Sequence, residues 1–408
     1  MRRMLTVAVV LVSACGGPGT EPITELPRTL TGAETDLIAA DNRFAFALLG
    51  VIAPTTTDQN VFLSPLSVGM ALGMAYNGAA GATREAMAST LGLAGLTLED
   101  VNASYRGVID LLRGLDPTVT FGIANSIWYR QDIALAPAFL ERTATYFDAT
   151  VQGLDFASPS AATTINDWVR TQTGGRIPEI VTPPIAASTI AYLVNAIYFK
   201  GAWTTRFDRD RTASGPFYLI DGSTRTVPLM HSTEPIPVWF AWQEGLVIGE
   251  LPYGGGAYRM TLVIPQAPGS IDSVVSELTQ RRWDGWIAAL DSTELDVTLP
   301  RFTMTFDREL SGDLAALGMG VAFCDDPAAS FDFTAMYPPG GACISAVKHR
   351  SFVEVNEEGT EAAAATSVEI GDTSAPPMFV VDRPFLFAIR EALSGTILFL
   401  GKVIDPAM

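Results

Sequence analysis

Only two histidines, His231 and His349, and three cysteines occur in 408 residues. That leaves little material for a metal centre or for a nucleophile–histidine pair. Neither a G-x-S-x-G elbow nor an H-E-x-x-H helix is present, so hydrolytic catalysis of either kind lacks its motif. No enzyme activity, metal or cofactor is expected. Cations are scarce too. Lys and Arg number 26 against 44 Asp and Glu, a net charge of −18 and a pI near 4.5. Such a surface disfavours nucleic acid, heparin-like polyanions and anionic membranes, and serves an exported protein by keeping it soluble.

The N-terminus reads as a targeting segment. Arg2 and Arg3 form a basic start, Met4 to Ala14 is apolar, and Ser13 and Ala14 precede Cys15. The run is too short to span a bilayer, which takes about 20 residues. Val12-Ser13-Ala14-Cys15 resembles a bacterial lipobox, which implies a lipid on Cys15 and anchorage at an envelope membrane or cell surface. The competing reading is an ordinary signal peptide and release to the exterior. Residues 16–36 are rich in Gly, Pro, Thr and Glu and read as a linker. Residues 37–408 show no second linker and no repeat, and read as one domain. Cys324 and Cys343 would close a loop of about 20 residues, worth ~3 kcal/mol if they pair. Free buried thiols fit the sequence equally.

Apolar residues fall at helical spacing over Leu37–Ile52, Pro65–Tyr76 and Ile165–Thr173, the last stopped by Gly174-Gly175. Strand patterns cover Phe121–Tyr129, Ile190–Phe199, Gly215–Leu219, Leu246–Leu251, Arg259–Ile264, Leu295–Thr305, Ser351–Asn356, Phe385–Ile389 and Ile397–Val403. Helices concentrate early and strands late, which predicts an α+β fold.

Glu357 to Met378 combines two signals. Its composition is that of an exposed loop, Gly at one end and Pro376-Pro377 at the other. Its alternation is that of a strand. Thr360, Ala362, Ala364, Thr366, Val368 and Ile370 form a small or apolar face, and Glu361 and Glu369 fall on the opposite one. Small side chains suit a segment that slips into a packed sheet. A flexible linker or short helix is the plainer reading of the alanines.

The run Glu357, Glu358, Gly359, Thr360, Glu361, Ala362, Ala363, Ala364, Ala365, Thr366 resembles the hinge of inhibitory serpins. Val61–Leu72, Asn77–Thr83, Ile165–Val169, Leu193–Trp203, Glu250–Tyr253, Asp382–Phe387 and Gly401–Pro406 are similar to further serpin motifs, in family order. The resemblance covers about residues 37–406. It implies three β-sheets, about nine helices and an exposed reactive-centre loop. It also implies suicide inhibition. A serine protease cuts the loop, forms an acyl-enzyme and is carried off as the loop inserts as a new strand. Fourteen residues at about 3.3 Å each carry the acyl end ~45 Å.

Loop length in the family implies a cut at Thr373–Ser374. A Thr there suits the shallow pocket of elastase-like or subtilisin-like proteases. No Lys or Arg lies between Glu357 and Met378, which argues against a trypsin-like target. A one-residue shift to Asp372–Thr373 implies an Asp-specific protease, and a non-inhibitory carrier is the other alternative. The resemblance further assigns Ser64, Ser67, Asn195 and His349 to a polar cluster beneath the sheet opening. It puts Trp203 at the point of loop insertion, and pairs Glu357 with Arg301 at the surface. His231 has no assigned role, and Trp283 and Trp286 read as packing. The expected partner is a protease held covalently by a monomer, with membrane contact only through Cys15.

Overall fold

The computed structural model describes residues 22–267, 269–324, 330–360 and 378–408. Cys15 and its targeting segment, hinge residues 361–366 and the expected bond Thr373–Ser374 lie outside the described residues.

Nine helices and sixteen strands form among the described residues. The helices are α1 (Gly32–Ile52), α2 (Pro65–Gly78), α3 (Gly81–Thr90), α4 (Leu98–Gly114), α5 (Pro137–Phe147), α6 (Ser160–Gln172), α7 (Ile271–Ser276), α8 (Gln280–Ala288) and α9 (Ser311–Leu314). The strands are β1 (Val61–Leu63), β2 (Val119–Arg130), β3 (Ala149–Leu154), β4 (Ala191–Ala202), β5 (Ala213–Tyr218), β6 (Thr224–His231), β7 (Ile236–Gln243) and β8 (Leu246–Tyr253). They continue as β9 (Tyr258–Pro265), β10 (Asp291–Pro300), β11 (Phe302–Glu309), β12 (Lys348–Asn356), β13 (Gly359–Thr360), β14 (Met378–Val380), β15 (Phe385–Glu391) and β16 (Ile397–Val403).

One six-stranded sheet runs β11-β12-β13-β4-β2-β3. A ten-stranded array runs β1-β16-β15-β9-β8-β7-β10-β6-β5, with β14 also on β10. Strand β10 is where that array divides. Residues 291–295 pair with β7, whereas residues 298–300 pair with β6 and residues 296–298 run parallel to β14. The array is thus two sheets sharing one strand, and the molecule has the three sheets of the expected α+β fold.

Two expectations are corrected. Leu295–Thr305 is two strands in different sheets, split at Arg301. The buried phase slips there from odd residues (Leu295, Val297, Leu299) to even ones (Phe302, Met304, Phe306), and that slip marks the bend. The linker also ends earlier than residue 36. Thr31 caps α1 in a reciprocal box with Glu34, and the Ile23 N–H donates to the Gly255 carbonyl at 2.8 Å. Ile23, Leu26 and Leu30 pack on the core. Too few apolar residues mark this stretch for its pattern to show docking.

Helix α1 is long and apolar enough to cross a membrane, but 67% of its most apolar window is buried, so its apolarity serves the core. Helix α2 is buried on nearly every side and lies beneath the six-stranded sheet. On the outer face, Ile165 and Val169 of α6 pack with Trp128 of β2 and Val194 of β4. Trp283 and Trp286 are core residues. Cys324 and Cys343, left open by the sequence, form a disulfide with Cα atoms 5.2 Å apart.

Candidate functional site

The six-stranded sheet is joined at its centre by two residues. Strand β13 pairs antiparallel to β12 (Val355 with Thr360, Asn356 with Gly359) and to β4 (Ala202 with Gly359, Gly201 with Thr360). Strands β4 and β12 are therefore parallel to one another. Below β13 no ladder joins them directly among the described residues. A cavity of about 420 Å³ lies between them, lined by residues 190–197 on one side and 343–352 on the other.

The upper end is built around Trp203. Its backbone N–H donates to the Glu358 carbonyl at 2.8 Å, and its indole N–H donates to the Asn356 carbonyl at 2.9 Å. The ring stacks on Tyr253 at 4.4 Å, and the Tyr253 hydroxyl shares a 2.8 Å hydrogen bond with Thr360 Oγ1. Phe207 N–H holds the Glu357 carbonyl at 2.9 Å. Gly359 has φ 146°, and a Cβ there would stand 2.1 Å from the Gly201 carbonyl oxygen. Only glycine lets the chain cross β4 this closely.

Glu357 and Arg301 meet, with Arg301 Nη1 3.5 Å from Glu357 Oε1. The expected surface character is corrected, since the Glu357 side chain is only 5% exposed and Arg301 about half exposed. The ordering chain segment 203–212 covers the carboxylate and adds a Thr212 hydroxyl donor at 2.7 Å. Glu358 is buried beside it and pairs with Arg209.

Beneath the opening, the Ser64 N–H donates to His349 Nε2 at 3.3 Å. The Ser64 hydroxyl caps α2 through Ser67 N–H at 3.4 Å and donates to the Leu398 carbonyl at 3.0 Å. Ser351, one inward position along β12, donates to the Phe62 carbonyl at 2.5 Å. Burial drives the His349 pKa down to about 4, partly offset by a backbone hydrogen bond at Phe62. The ring is neutral and accepts at Nε2.

Asn195 does not join this group. Its Nδ2 donates to Asn125 Oδ1 at 2.7 Å, and Asn125 Nδ2 donates to the Phe147 carbonyl at 2.7 Å. The cluster expected across the opening is thus two half-clusters. One ties β12 to α2, β1 and β16; the other ties β4 to β2 and the end of α5, and also reaches α2 where Asn195 Nδ2 donates to Met70 Sδ at 3.8 Å. Asn195 Oδ1 is buried without a partner among the described residues.

Asn125, Ser351, Tyr253, Arg209 and Thr212 were not read from the sequence. Tyr253 alone carried a signal, as the end of a quoted motif. His231 bonds Thr298 Oγ1 at 2.9 Å across the β6–β10 pair, a structural role. No group of metal-ligating side chains occurs among the described residues.

The family model for Serpin (serine protease inhibitor) matches residues 39–406. Serpin-Z2A of Triticum aestivum is 37% identical over 393 residues, covering 90% of this chain and 96% of that one. Leukocyte elastase inhibitor of Bos taurus is 34% identical over 382 residues, covering 91% and 99%. Among solved structures, human thyroxine-binding globulin complexed with thyroxine superposes with a TM-score of 0.83 at 27% identity, covering 92% and 100%. With the match running nearly end to end and the hinge-bearing sheet in place, this chain belongs to the serpin family.

Proposed function

We propose that this serpin inhibits serine proteases by trapping them on its own cleaved loop. The observation that carries the reading is the seating of Gly359 and Thr360 between β12 and β4. Continued in the same register after a cut, that pairing would set Ala362 opposite Phe199 and Val353, and Ala364 opposite Ile197 and Ser351. Thr366 then falls between Asn195 and His349, and Ile370 opposite Ala191. The inward row is the small-residue face of the loop. A threonine hydroxyl arriving beside Asn195 would supply the donor that Asn195 Oδ1 lacks.

The gain is large enough to do mechanical work. Ten residues pairing with β4 and seven with β12 form about seventeen hydrogen bonds, or roughly 9–25 kcal/mol at 0.5–1.5 each. A typical domain is held together by only about 5–15 kcal/mol. An acyl-enzyme dragged along this track can be distorted before water releases it.

The bond attacked in this reading is Thr373–Ser374, and the targets are elastase-like or subtilisin-like. A cut at Asp372–Thr373 would instead serve an Asp-specific protease. The protein is exported and lipid-anchored through Cys15, and it acts as a monomer. The likeness to thyroxine-binding globulin supports a second reading, a carrier that does not inhibit. Incubation with pancreatic elastase, subtilisin and trypsin decides between them. Inhibition gives a denaturant-stable covalent complex with one of the first two and a released fragment starting at Ser374. A fragment starting at Thr373 moves the target to Asp-specific proteases. Cleavage with no complex and no gain in melting temperature leaves the carrier.

A further inference from the structure

The two hinge glutamates, each 3% exposed, are held largely by one connection, residues 203–212 between β4 and β5. Its grip falls on three consecutive residues. The Trp203 indole N–H donates to the Asn356 carbonyl, Phe207 N–H to the Glu357 carbonyl and Trp203 N–H to the Glu358 carbonyl. The Thr212 hydroxyl donates to the Glu357 carboxylate, and Arg209 to that of Glu358. Buried Phe207 meets the Trp203 ring edge-on at 6.2 Å, and a single 3₁₀ turn follows at Arg209–Arg211. Asp208 caps that turn, its Oδ1 accepting the Asp210 N–H at 2.9 Å. The connection is thus shaped to present Arg209 to the hinge.

Arg209 has a task that the other contacts do not share. The Glu357 carboxylate has two partners, Thr212 and Arg301. That of Glu358 has Arg209 alone among the described residues, and its Oε2 is buried without a partner. The guanidinium reaches in from solvent, its side chain 61% exposed against 4% for Glu358. Removing it would leave a carboxylate out of water with no counter-charge, which is strongly unfavourable. The glutamate would then turn outward. That movement pulls on the Glu358 carbonyl, bonded to Trp203, and on Gly359, whose rungs on Asn356 and Ala202 begin β13.

The geometry points to Arg209 as a positioning residue for trapping: its charge keeps Glu358 folded under, and so holds the pivot from which the cut loop zips in between β12 and β4. This rests on the inhibitory reading and adds a residue that no motif resemblance assigned. Arg209 touches none of the reacting atoms. It leaves the attack on the loop alone and acts on the race that follows, insertion against release of the protease by water. A loosened pivot slows the first and lets the second win more often.

The test sets the wild-type protein against subtilisin beside Arg209→Gln, Arg209→Lys, Glu358→Gln and the double variant Arg209→Gln/Glu358→Gln. For Arg209→Gln the expected result is an unchanged second-order rate of loop cleavage with a severalfold rise in inhibitor consumed per protease inactivated. Amide exchange at Gly359 and Thr360 in the uncut protein should quicken severalfold. Arg209→Lys keeps the charge and recovers most of the wild-type stoichiometry. In the Glu358→Gln background no charge is left to neutralise, so Arg209→Gln adds nothing. A packing role would make the lysine and glutamine variants alike and their effects additive with Glu358→Gln, and that result overturns the proposal. So does an Arg209→Gln protein with wild-type stoichiometry or wild-type exchange. Should Arg209→Gln not fold, Glu358→Gln and the double variant still decide, equal consumption of inhibitor being expected and unequal consumption overturning the proposal. The exchange measurement needs no protease, so a clasp that fails is told apart from an inhibitory reading that fails. Absence of any complex with the wild-type protein removes that reading, and the role of Arg209 in trapping with it.

Discussion

Replacing Gly359 with alanine should convert the protein from a trap into a substrate. The added methyl would stand 2.1 Å from the Gly201 oxygen, 2.6 Å from Ala202 Cα and 2.9 Å from Trp203 N. All three are backbone atoms of the β4 end and cannot rotate aside. The cheapest response is to expel β13. That forfeits the Trp203 N–H to Glu358 bond, the Tyr253 to Thr360 bond and the paired rungs on either side, a cost of at least about 4 kcal/mol at ~1 kcal/mol each. Over a domain of about 370 residues, melting falls by about 5 °C. Insertion after cleavage is hit harder, because every later rung is zipped from this one. The assay pairs thermal unfolding with the stoichiometry of inhibition. Gly256→Ala is the control. It also has positive φ, at 89°, but nothing stands within 4 Å of its added methyl. It should pay only the backbone term of about 1–2 kcal/mol and trap normally. A Gly359→Ala protein that melts and inhibits like wild type would refute the reasoning.

His349 gives a pH test. Its folded pKa, near 4, lies below the ordinary value of about 6.5, so protons favour the unfolded chain. Its contribution is complete above pH ~6.5 and is lost by about 1.4 kcal/mol per unit as pH falls toward 4. His349→Gln should close the gap to wild type over that window in denaturant unfolding, and a constant gap would contradict a buried neutral ring. The inward row gives a parity test. Thr366→Arg should abolish complex formation while Ser367→Arg, one residue on and facing out, keeps it, and the reverse order would place the loop in the other register.

The sequence showed most of the architecture because its elements are strongly patterned, and where it fell short the cause is visible. Helix α4 (Leu98–Gly114) went unread although Thr97 and Asp100 form a capping box, a signal four residues long and easily lost among polar neighbours. The motif residues Ser64, Trp203, His349 and Glu357 were legible as candidates, since each belongs to a contiguous stretch. Their partners were not. Asn125 meets Asn195 across 70 residues and Ser351 meets Phe62 across 289. Arg209 reaches Glu358 across 149. Ser351 acts on a carbonyl, a group every residue carries, so no residue-type pattern could announce it. The division of the polar cluster was equally hidden, because Asn195 and His349 are brought to one level only by the pairing of β13.

On the proposed mechanism, the same pairing explains why the loop would have to be cut. Thr360 is seated on β4, and Met378 is seated on β10. Every residue that enters the track moves its end about 3.3 Å from the top, and the uncut remainder must return that distance to reach Met378. The two lengths become equal at about residue 369, even with β14 placed level with β13 and the remainder fully taut. Ile370 and the end of the track are thus out of reach of an intact loop while β14 holds. It holds firmly. Phe379 is fully buried, meets Phe240 edge-on at 5.9 Å, and lies so close to Gly249 that a Cβ there would come within 2.5 Å of its ring. Cleavage anywhere between the two anchors removes the tether, but only a cut near its far end leaves enough strand to fill the track. In the inhibitory reading proposed above, geometry therefore asks for a bond beyond about residue 370. Set too early, it leaves the lower rungs unpaired and the protease short of the far end. The proposed bond at Thr373 would deliver the acyl group just past the last rung.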